Sequence, residues 1–314
     1  MLKAGINGFG RIGRLILRQG IDSKKVQFVA VNSAAGMQGV VHLLKYDSVH
    51  GKFKGTIEAL DNDFFEMNGK KIRVFSQRDP KKINWKQFGV ELVFEATGQF
   101  REKDDAKMHL NGGAKKVIIT APAKGDLPSV VLGVNDAKMK DDAIIDAASC
   151  TTNCLMPVLK VLNDSFGIKR AFVTTVHAFT QDQNILDNRH EDLRRARAAS
   201  LNIIPTTTGA KKAVEKVIPA LKGKVDGLAI RVPVASGSLI DVVAELEKKT
   251  TVEEINAKMK KASETNLKGI LEFTTEPIVS SDVIGNTSSS IFDALSTQVI
   301  DGNFVKVLAW YDNE

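Results

Sequence analysis

A cysteine and a histidine have the strongest claim to covalent chemistry in this chain. Cys150 stands in Ser149-Cys150-Thr151-Thr152-Asn153-Cys154, after an apolar, strand-like run, Ala143 to Ala147. A helical pattern follows: Leu155, Val158, Leu159, Leu162, Phe166. Cys150 therefore falls where a strand hands over to a helix. Ser149 or a following threonine caps that helix, and its orphan N–H groups, with the positive end of the dipole, favour a thiolate over a thiol. The competing reading is a small, inert, buried residue, the ordinary fate of an intracellular cysteine. His177 ends the apolar run Ala171–Val176. It is either a satisfied structural histidine or the general base that a thiol nucleophile needs. Two cysteines four apart on one helix give no disulfide framework, which fits a reducing cytoplasm. Cys-x-x-x-Cys with a distant histidine is a poor zinc site, and no metal is expected.

The elements that must position these residues begin at the N-terminus. Residues 3–7 read as a strand, followed by Gly8-Phe9-Gly10-Arg11-Ile12-Gly13 and a helix through Ile16 and Leu17. A second strand, Val26 to Val31, completes a βαβ unit. Strand, Gly-x-Gly-x-x-Gly and helix together are a dinucleotide-binding signature, with the pyrophosphate on the helix N-terminus. The acidic residue that holds the adenosine ribose belongs roughly 20 residues on. Asn32 and Ser33 stand there instead. An acid would repel a 2′-phosphate and serine tolerates one, so NADP is admitted; equally, both residues could still bond the ribose hydroxyls of NAD.

A helix near 37–44, a meander of short strands over 53–75 and a turn at Arg78-Asp79-Pro80 come next. The strands Leu92–Glu95 and Lys116–Ile119 run into Ala96-Thr97-Gly98 and Thr120-Ala121-Pro122, with a helix at about 102–112 between them. Such strand ends are where open α/β sheets bind ligands. Beyond residue 148 the alternation gives way to longer strands. This pattern predicts an α/β fold with a dinucleotide-binding domain at 1–148 and a second domain at 149–314. In the latter, Thr206-Thr207-Thr208-Gly209 opens a helix at Lys211–Val217, and such a start suits either an anion or a simple cap. Thr251-Val252-Glu253-Glu254 reads as a capping box. The run Arg194-Arg195-Ala196-Arg197 on its own reads as a surface or subunit face.

Composition sets the outer limits. The chain has 314 residues, 43% of them apolar and 26% charged, enough for a sizeable core and about two domains. No apolar run is long enough to span a bilayer, and the N-terminus enters a strand with no secretory signal. A net charge of +7 favours acidic partners such as phosphate metabolites. No block of five like charges and no aromatic-interleaved basic stripe occurs, so nucleic acid is not expected as the main partner.

Five segments, in order along the whole chain, resemble phosphorylating glyceraldehyde-3-phosphate dehydrogenases. They are Asn7-Gly8-Phe9-Gly10-Arg11-Ile12-Gly13-Arg14, Lys45-Tyr46-Asp47-Ser48-Val49-His50-Gly51, Ala148 to Cys154, Leu193-Arg194-Arg195-Ala196-Arg197-Ala198-Ala199 and Trp310-Tyr311-Asp312-Asn313-Glu314. The resemblance implies a Rossmann domain, a catalytic domain on a mostly antiparallel sheet, a cytoplasmic homotetramer and a hydride acceptor, NAD or NADP. It implies Cys150 as nucleophile and His177 as base. Gly8, Gly10, Arg11, Ile12 and Gly13 would lie at the pyrophosphate, with Ser33, Arg78, Thr97, Gly98 and Thr120 along the cofactor and Asn313 at the nicotinamide carboxamide. Thr180 and Arg231 would hold the substrate's phosphate. Ser149, Thr151, Thr208, Gly209 and Arg195 would line the inorganic phosphate site.

The chain departs from the family pattern at several points. Ser33 replaces an aspartate, and Asn188-Arg189 stands where NAD-specific members carry Leu-Pro. Arg189, from a neighbouring subunit, could pair with a 2′-phosphate. The family continues past Glu314 with a further helix, whose absence would expose an apolar strip on the first domain. Val234-Ala235-Ser236-Gly237-Ser238 also differs from the usual wording, without an evident role. The rival readings are an erythrose-4-phosphate dehydrogenase and, from another class, a basic RNA- or protein-binding dinucleotide fold. Two complete anion pockets favour the acyl-phosphate-forming enzyme.

Overall fold

The computed structural model describes every residue except Lys140. It divides into two compact units: Met1–Val130 with Met139–Ser149 and Glu314, and Val131–Lys138 with Cys150–Asn313.

In the first unit, β1 (Leu2–Asn7), α1 (Arg11–Gly20) and β2 (Val26–Asn32) form the βαβ element, followed by α2 (Met37–Lys45). A meander of β3 (Ile57–Ala59), β4 (Phe64–Met67) and β5 (Lys70–Phe75) leads to β6 (Leu92–Glu95), α3 (Lys103–Asn111), β7 (Lys116–Ile119) and β8 (Ile144–Asp146). Among the described residues these strands make one sheet of eight, ordered β3-β4-β5-β2-β1-β6-β7-β8. Every pair from β5 to β8 is parallel, so crossover helices must cover it. Ala4 and Ile6 of β1, Leu17 of α1 and Val40 and Leu44 of α2 are almost wholly buried in its core. The parallel arrangement brings the carboxyl ends of β1, β2, β6 and β7 to one edge, where the predicted cofactor residues lie.

The second unit opens with α4 (Cys150–Phe166), buried through most of its length, and β9 (Ile168–Ala178). Then come β10 (Ile204–Thr206), α5 (Ala210–Val217), β11 (Val225–Val232), β12 (Ser238–Leu246) and α6 (Val252–Glu264). The unit closes with β13 (Leu271–Thr274), β14 (Ser290–Ile300) and β15 (Phe304–Tyr311). Its sheet runs β10-β11-β9-β12-β15-β14-β13, with β9–β11 and β13–β14 parallel and the other pairs antiparallel. The expected α/β class, with a Rossmann-type first domain and a mostly antiparallel second sheet, is therefore the observed one. Apolar residues alternate along β12, placing Ile240, Val242, Ala244 and Leu246 on its buried face. The registers matter for function: His177 lies opposite Arg231, Val176 opposite Leu239, and Ser238 opposite Tyr311. β9 begins three residues before its apolar run, and His177 is its penultimate residue, at the strand end where the sequence put it.

One expectation is only half met. Thr251 Oγ1 accepts from the Glu254 N–H as a capping box requires, but the Glu254 carboxylate takes its proton donor from the Thr250 hydroxyl.

Candidate active site

Cys150 begins α4, and its Sγ lies 3.4 Å from Nε2 of His177. The histidine is 4% exposed. Its Nδ1 lies 2.7 Å from the carbonyl of Ala178, which only accepts, and 2.8 Å from Arg231 Nη1, which only donates; because Nη1 also has the Ala178 carbonyl as its acceptor, the proton is assigned to Nδ1. Nε2 is then a bare acceptor facing the sulfur. Burial, reinforced by the charge of Arg231, pushes the imidazole down to about 4. At neutral pH the ring is therefore an unprotonated base.

The thiol departs from expectation. Cys150 as a residue is only partly buried, but its sulfur is enclosed, and loss of solvation pushes the thiol above its ordinary value. The Thr151 N–H, the charge of Arg231 and the Thr151 hydroxyl act the other way without overcoming it. The helix start alone does not ionise this sulfur; for it to act as a nucleophile, a neighbouring base would have to take its proton. Cys154, wholly buried, has its thiol pushed up further by desolvation and is inert by comparison.

Arg231 sits opposite His177 across the β9–β11 ladder. Its Nη1 donates to the Ala178 carbonyl at 3.1 Å and reaches Thr180 Oγ1 at 3.5 Å. Its Nε is buried with no partner among the described residues. Of the three arginines in 194–197, Arg195 is the one whose side chain turns inward. It donates to Thr206 Oγ1 at 3.0 Å and to the Thr207 carbonyl at 3.3 Å, and it pairs with Asp182. Its charge reaches both His177 and Arg231. Thr208 is half-buried, and its hydroxyl accepts from the Ala210 N–H at the start of α5; Gly209 is exposed beside it. Ser149, also half-buried, directly precedes the nucleophile in the chain.

Two groups of residues here escaped the sequence reading. Tyr311, 1% exposed, places its hydroxyl 2.8 Å from both Thr151 Oγ1 and Thr175 Oγ1, with its ring edge against His177. The segment 234–238, which had no assigned role, holds the end of the chain. Ser236 Oγ donates to Asp312, while Gly237 N and Ser238 Oγ both donate to Asn313 Oδ1. These bonds engage the oxygen of the Asn313 amide and fix its side chain. Gly237 has φ of 89°, and a Cβ there would meet the Ser280 carbonyl at 2.0 Å. Only glycine serves at that point.

In the first unit, the glycine-rich turn is built for close approach of a ligand. Gly8 has φ of 92°, and a Cβ on it would meet Thr97 N at 2.5 Å; a Cβ on Gly13 would meet the Gly8 carbonyl at 2.1 Å. A Cβ on Gly10 would meet nothing within 4 Å, so this residue faces open space at the start of α1, which has no side-chain cap. Uncapped N–H groups beside that space, Ile12 being in the first turn, suit a pyrophosphate. The Arg11 side chain is occupied elsewhere: it pairs with Asp47 at 2.7 Å and with Glu314. Any contact of Arg11 with the cofactor would be through its backbone.

Glu95, almost fully buried, organises the neighbouring strand ends. It accepts from Asn7 Nδ2 at 2.6 Å, Thr97 N at 2.8 Å and the Thr97 hydroxyl, and it lies 2.8 Å from His109 Nε2. Trp85 Nε1 donates to His109 Nδ1, so Nε2 carries the ring proton toward Glu95. Thr120 Oγ1 donates to the Glu95 carbonyl. Gly98, with φ of 71°, closes the turn after β6. Asn32 has no N–H left for a ribose: its Nδ2 donates to Asn7 Oδ1 and the Gln77 carbonyl, while its Oδ1 accepts from Gln77 N and keeps one lone pair. Ser33 Oγ accepts from Ala35 N, and Arg78 is exposed beyond β5. Among the described residues no cluster could hold a metal ion, and no helix is long and apolar enough to cross a membrane.

Comparison with known proteins agrees with this geometry. Residues 2–103 match the model of the glyceraldehyde 3-phosphate dehydrogenase NAD binding domain, and residues 149–313 that of the C-terminal domain of the same family. The chain is 55% identical over 317 residues to a glyceraldehyde-3-phosphate dehydrogenase of Thermotoga maritima, covering all of this chain and 95% of that protein. It is 54% identical over 315 residues to that of Geobacillus stearothermophilus and 53% over 316 to the enzyme numbered 1 of Bacillus cereus, each time over the whole chain and 94% of the relative. With both family domains matched and relatives more than half identical over the whole chain, the chain belongs to the glyceraldehyde-3-phosphate dehydrogenase family.

Proposed function

We propose that the protein oxidises glyceraldehyde 3-phosphate to an acyl phosphate through a thioester on Cys150. The observation that carries this reading is the 3.4 Å contact of Cys150 Sγ with a His177 Nε2 left bare by the Ala178 carbonyl. The sulfur attacks the aldehyde carbon while its proton passes to Nε2 and on to the new oxygen, giving a hemithioacetal. His177 then takes the hemithioacetal hydroxyl proton as the hydride departs, leaving a thioester. The bound dinucleotide supplies the hydride acceptor. An oxygen of inorganic phosphate attacks the thioester carbon, the C–S bond breaks, and the sulfur is reprotonated. The substrate's phosphate is assigned to Arg231 and Thr180, and the attacking phosphate to Arg195, Thr208, Gly209, Thr151 and Ser149. Asn313 Nδ2 is assigned the nicotinamide carboxamide. The turn of Gly8, Gly10 and Gly13 with Arg11 and Ile12 holds the pyrophosphate, and Thr97, Gly98, Thr120 and Arg78 flank the cofactor.

At the ribose end we propose that either dinucleotide is accepted. Support comes from the uncharged Ser33 and from Asn32, whose amide is already committed. For assembly we propose a homotetramer. The supporting feature is a loop that leaves Ile185, Leu193, Leu201 and Ile203 each more than 70% exposed, an apolar surface that calls for a partner. Two unpaired cysteines support a reducing, cytoplasmic setting.

The test is reduction of dinucleotide from glyceraldehyde 3-phosphate, with and without inorganic phosphate, for wild type and Cys150→Ser. Turnover should need both the sulfur and phosphate. Full turnover by Cys150→Ser would overturn the reading, and phosphate-independent turnover would replace it with a non-phosphorylating reaction.

A further inference from the structure

We propose that Asp182 is a built-in competitor for the anion held by Arg195, releasing the guanidinium to inorganic phosphate by moving onto His190. This deepens the reading above, since it rests on the assignment of Arg195 to the attacking phosphate.

Two carboxylates face Arg195, and they differ in how firmly they are held. Asp192 is fixed: it accepts from the Thr206 hydroxyl at 2.5 Å and from Arg194 N at 2.8 Å, and its closest approach to Arg195 is 3.7 Å. Asp182 has no such anchors among the contacts of its carboxylate. It pairs directly with Arg195 Nη1 through Oδ2, and its side chain is 59% exposed against 15% for the arginine. Its backbone is held in place by a turn in which Gln183 N donates to the Thr180 carbonyl at 2.9 Å, with Gln183 itself buried. The carboxylate is thus an exposed group on a fixed stem, held by Arg195.

A second donor waits beside it. His190 Nδ1 lies 2.9 Å from Asp192 N, which only donates, and 3.1 Å from the Asp192 carbonyl; the shorter, donated bond makes Nδ1 the acceptor and places the ring proton on Nε2. That N–H lies 3.9 Å from the other oxygen of Asp182, too far for a hydrogen bond and about 1 Å short of one. An arriving dianion offers Arg195 the same pair of oxygens that Asp182 does, with more charge. Asp182 needs only a small rotation to exchange Arg195 for His190. The enclosed guanidinium is never left unpaired, and phosphate binds against a resident carboxylate. The affinity of the pocket for inorganic anions is lowered accordingly.

The experiment measures the concentration of inorganic phosphate that half-protects Cys150 from iodoacetamide, in the full-length protein. Cys154 is buried and does not report. Asp182→Asn should lower that concentration about two- to fivefold, the worth of a partly exposed ion pair. His190→Ala should raise it, because the carboxylate then has nowhere to go. Damage to the fold cannot produce the tighter binding. No change or weaker binding in Asp182→Asn overturns the proposal. So does an equal tightening in Glu191→Gln, which removes a neighbouring charge without touching Arg195. Arg195→Gln separates the two levels: protection surviving in that variant overturns the phosphate assignment and this proposal with it. Protection lost there but unimproved in Asp182→Asn overturns the proposal alone.

Discussion

Arg231 Nη1 stands 2.8 Å from His177 Nδ1, and both nitrogens address the carbonyl of Ala178. A permanent cation at that distance, in a buried setting, makes the doubly protonated ring costly. Burial and this cation together keep the imidazole neutral, and the same arginine is the one proposed to hold the substrate's anion.

Acid should therefore weaken the fold through this ring. In the folded protein His177 protonates near 4, against an ordinary 6.5. Between those values the unfolded chain binds the extra proton and the folded one does not. The contribution is complete above about pH 6.5 and is lost as pH falls toward 4, by up to about 3 kcal/mol. Urea titrations across that range should show a steeper loss for wild type than for His177→Asn; parallel curves would refute the argument.

His177→Asn should also lower kcat by about 10²- to 10⁴-fold while leaving dinucleotide affinity within about twofold. Steady-state kinetics with a separate binding titration checks both. An unchanged kcat would remove the histidine from the mechanism.

Tyr311 completes a directional run of hydroxyls. Thr175 donates to the Leu239 carbonyl at 3.1 Å, so it accepts from Tyr311, which in turn accepts from Thr151. Tyr311→Phe breaks this run in a dry interior. Stability should drop by about 1–2 kcal/mol. The first turn of α4 also loses a tether, so kcat should fall about three- to tenfold at unchanged KM for the dinucleotide. Chemical denaturation and initial rates test the two effects separately.

Ser33→Asp should weaken NADP binding at least about tenfold and leave NAD equal or tighter, because the new carboxylate faces a 2′-phosphate. Calorimetric titration of both dinucleotides decides the point. Equal NADP affinity in the two proteins would place the 2′-phosphate elsewhere.

Arg11→Ala separates a structural role from a binding one. Burial opposes ionisation of Asp47, yet the N–H groups of His50 and Val49 and the Arg11 guanidinium hold its carboxyl down at about 2. Losing Arg11 removes the cation paired with both Asp47 and Glu314, so the unfolding midpoint should drop by several degrees while dinucleotide affinity stays within about twofold. An affinity loss beyond about tenfold would mean that the side chain itself meets the pyrophosphate.

Local pattern carried much of this architecture. Leu92–Glu95 and Lys116–Ile119 are strands at the residues read from their apolar runs, because strands buried in a parallel sheet are apolar on both faces. The turn at Gly8 was legible because only glycine tolerates that backbone and that approach. What sequence hid are properties of the third dimension. A helix start argued for an ionised Cys150, but enclosure of the sulfur reverses the sign. Asn32 looked available to a ribose, yet its amide ties β1 to the loop after β5. Arg194, Arg195 and Arg197 read alike in one dimension, and only packing against Thr206 turns Arg195 inward. Tyr311 and Ser238 gave no local signal, since their partners lie more than 50 residues away.

Arg231, His177, Ser238 and Tyr311 come from four adjacent strands, and the pairings that bring them abreast are ordinary backbone ladders. Catalytic alignment is thus inherited from lateral registration of the sheet. Because facing alternates residue by residue, inserting a single residue into the turn at 301–303 would slide β15 by one step and point Trp310 where Tyr311 belongs. The enzyme could be silenced from the far end of a hairpin with every functional side chain still present.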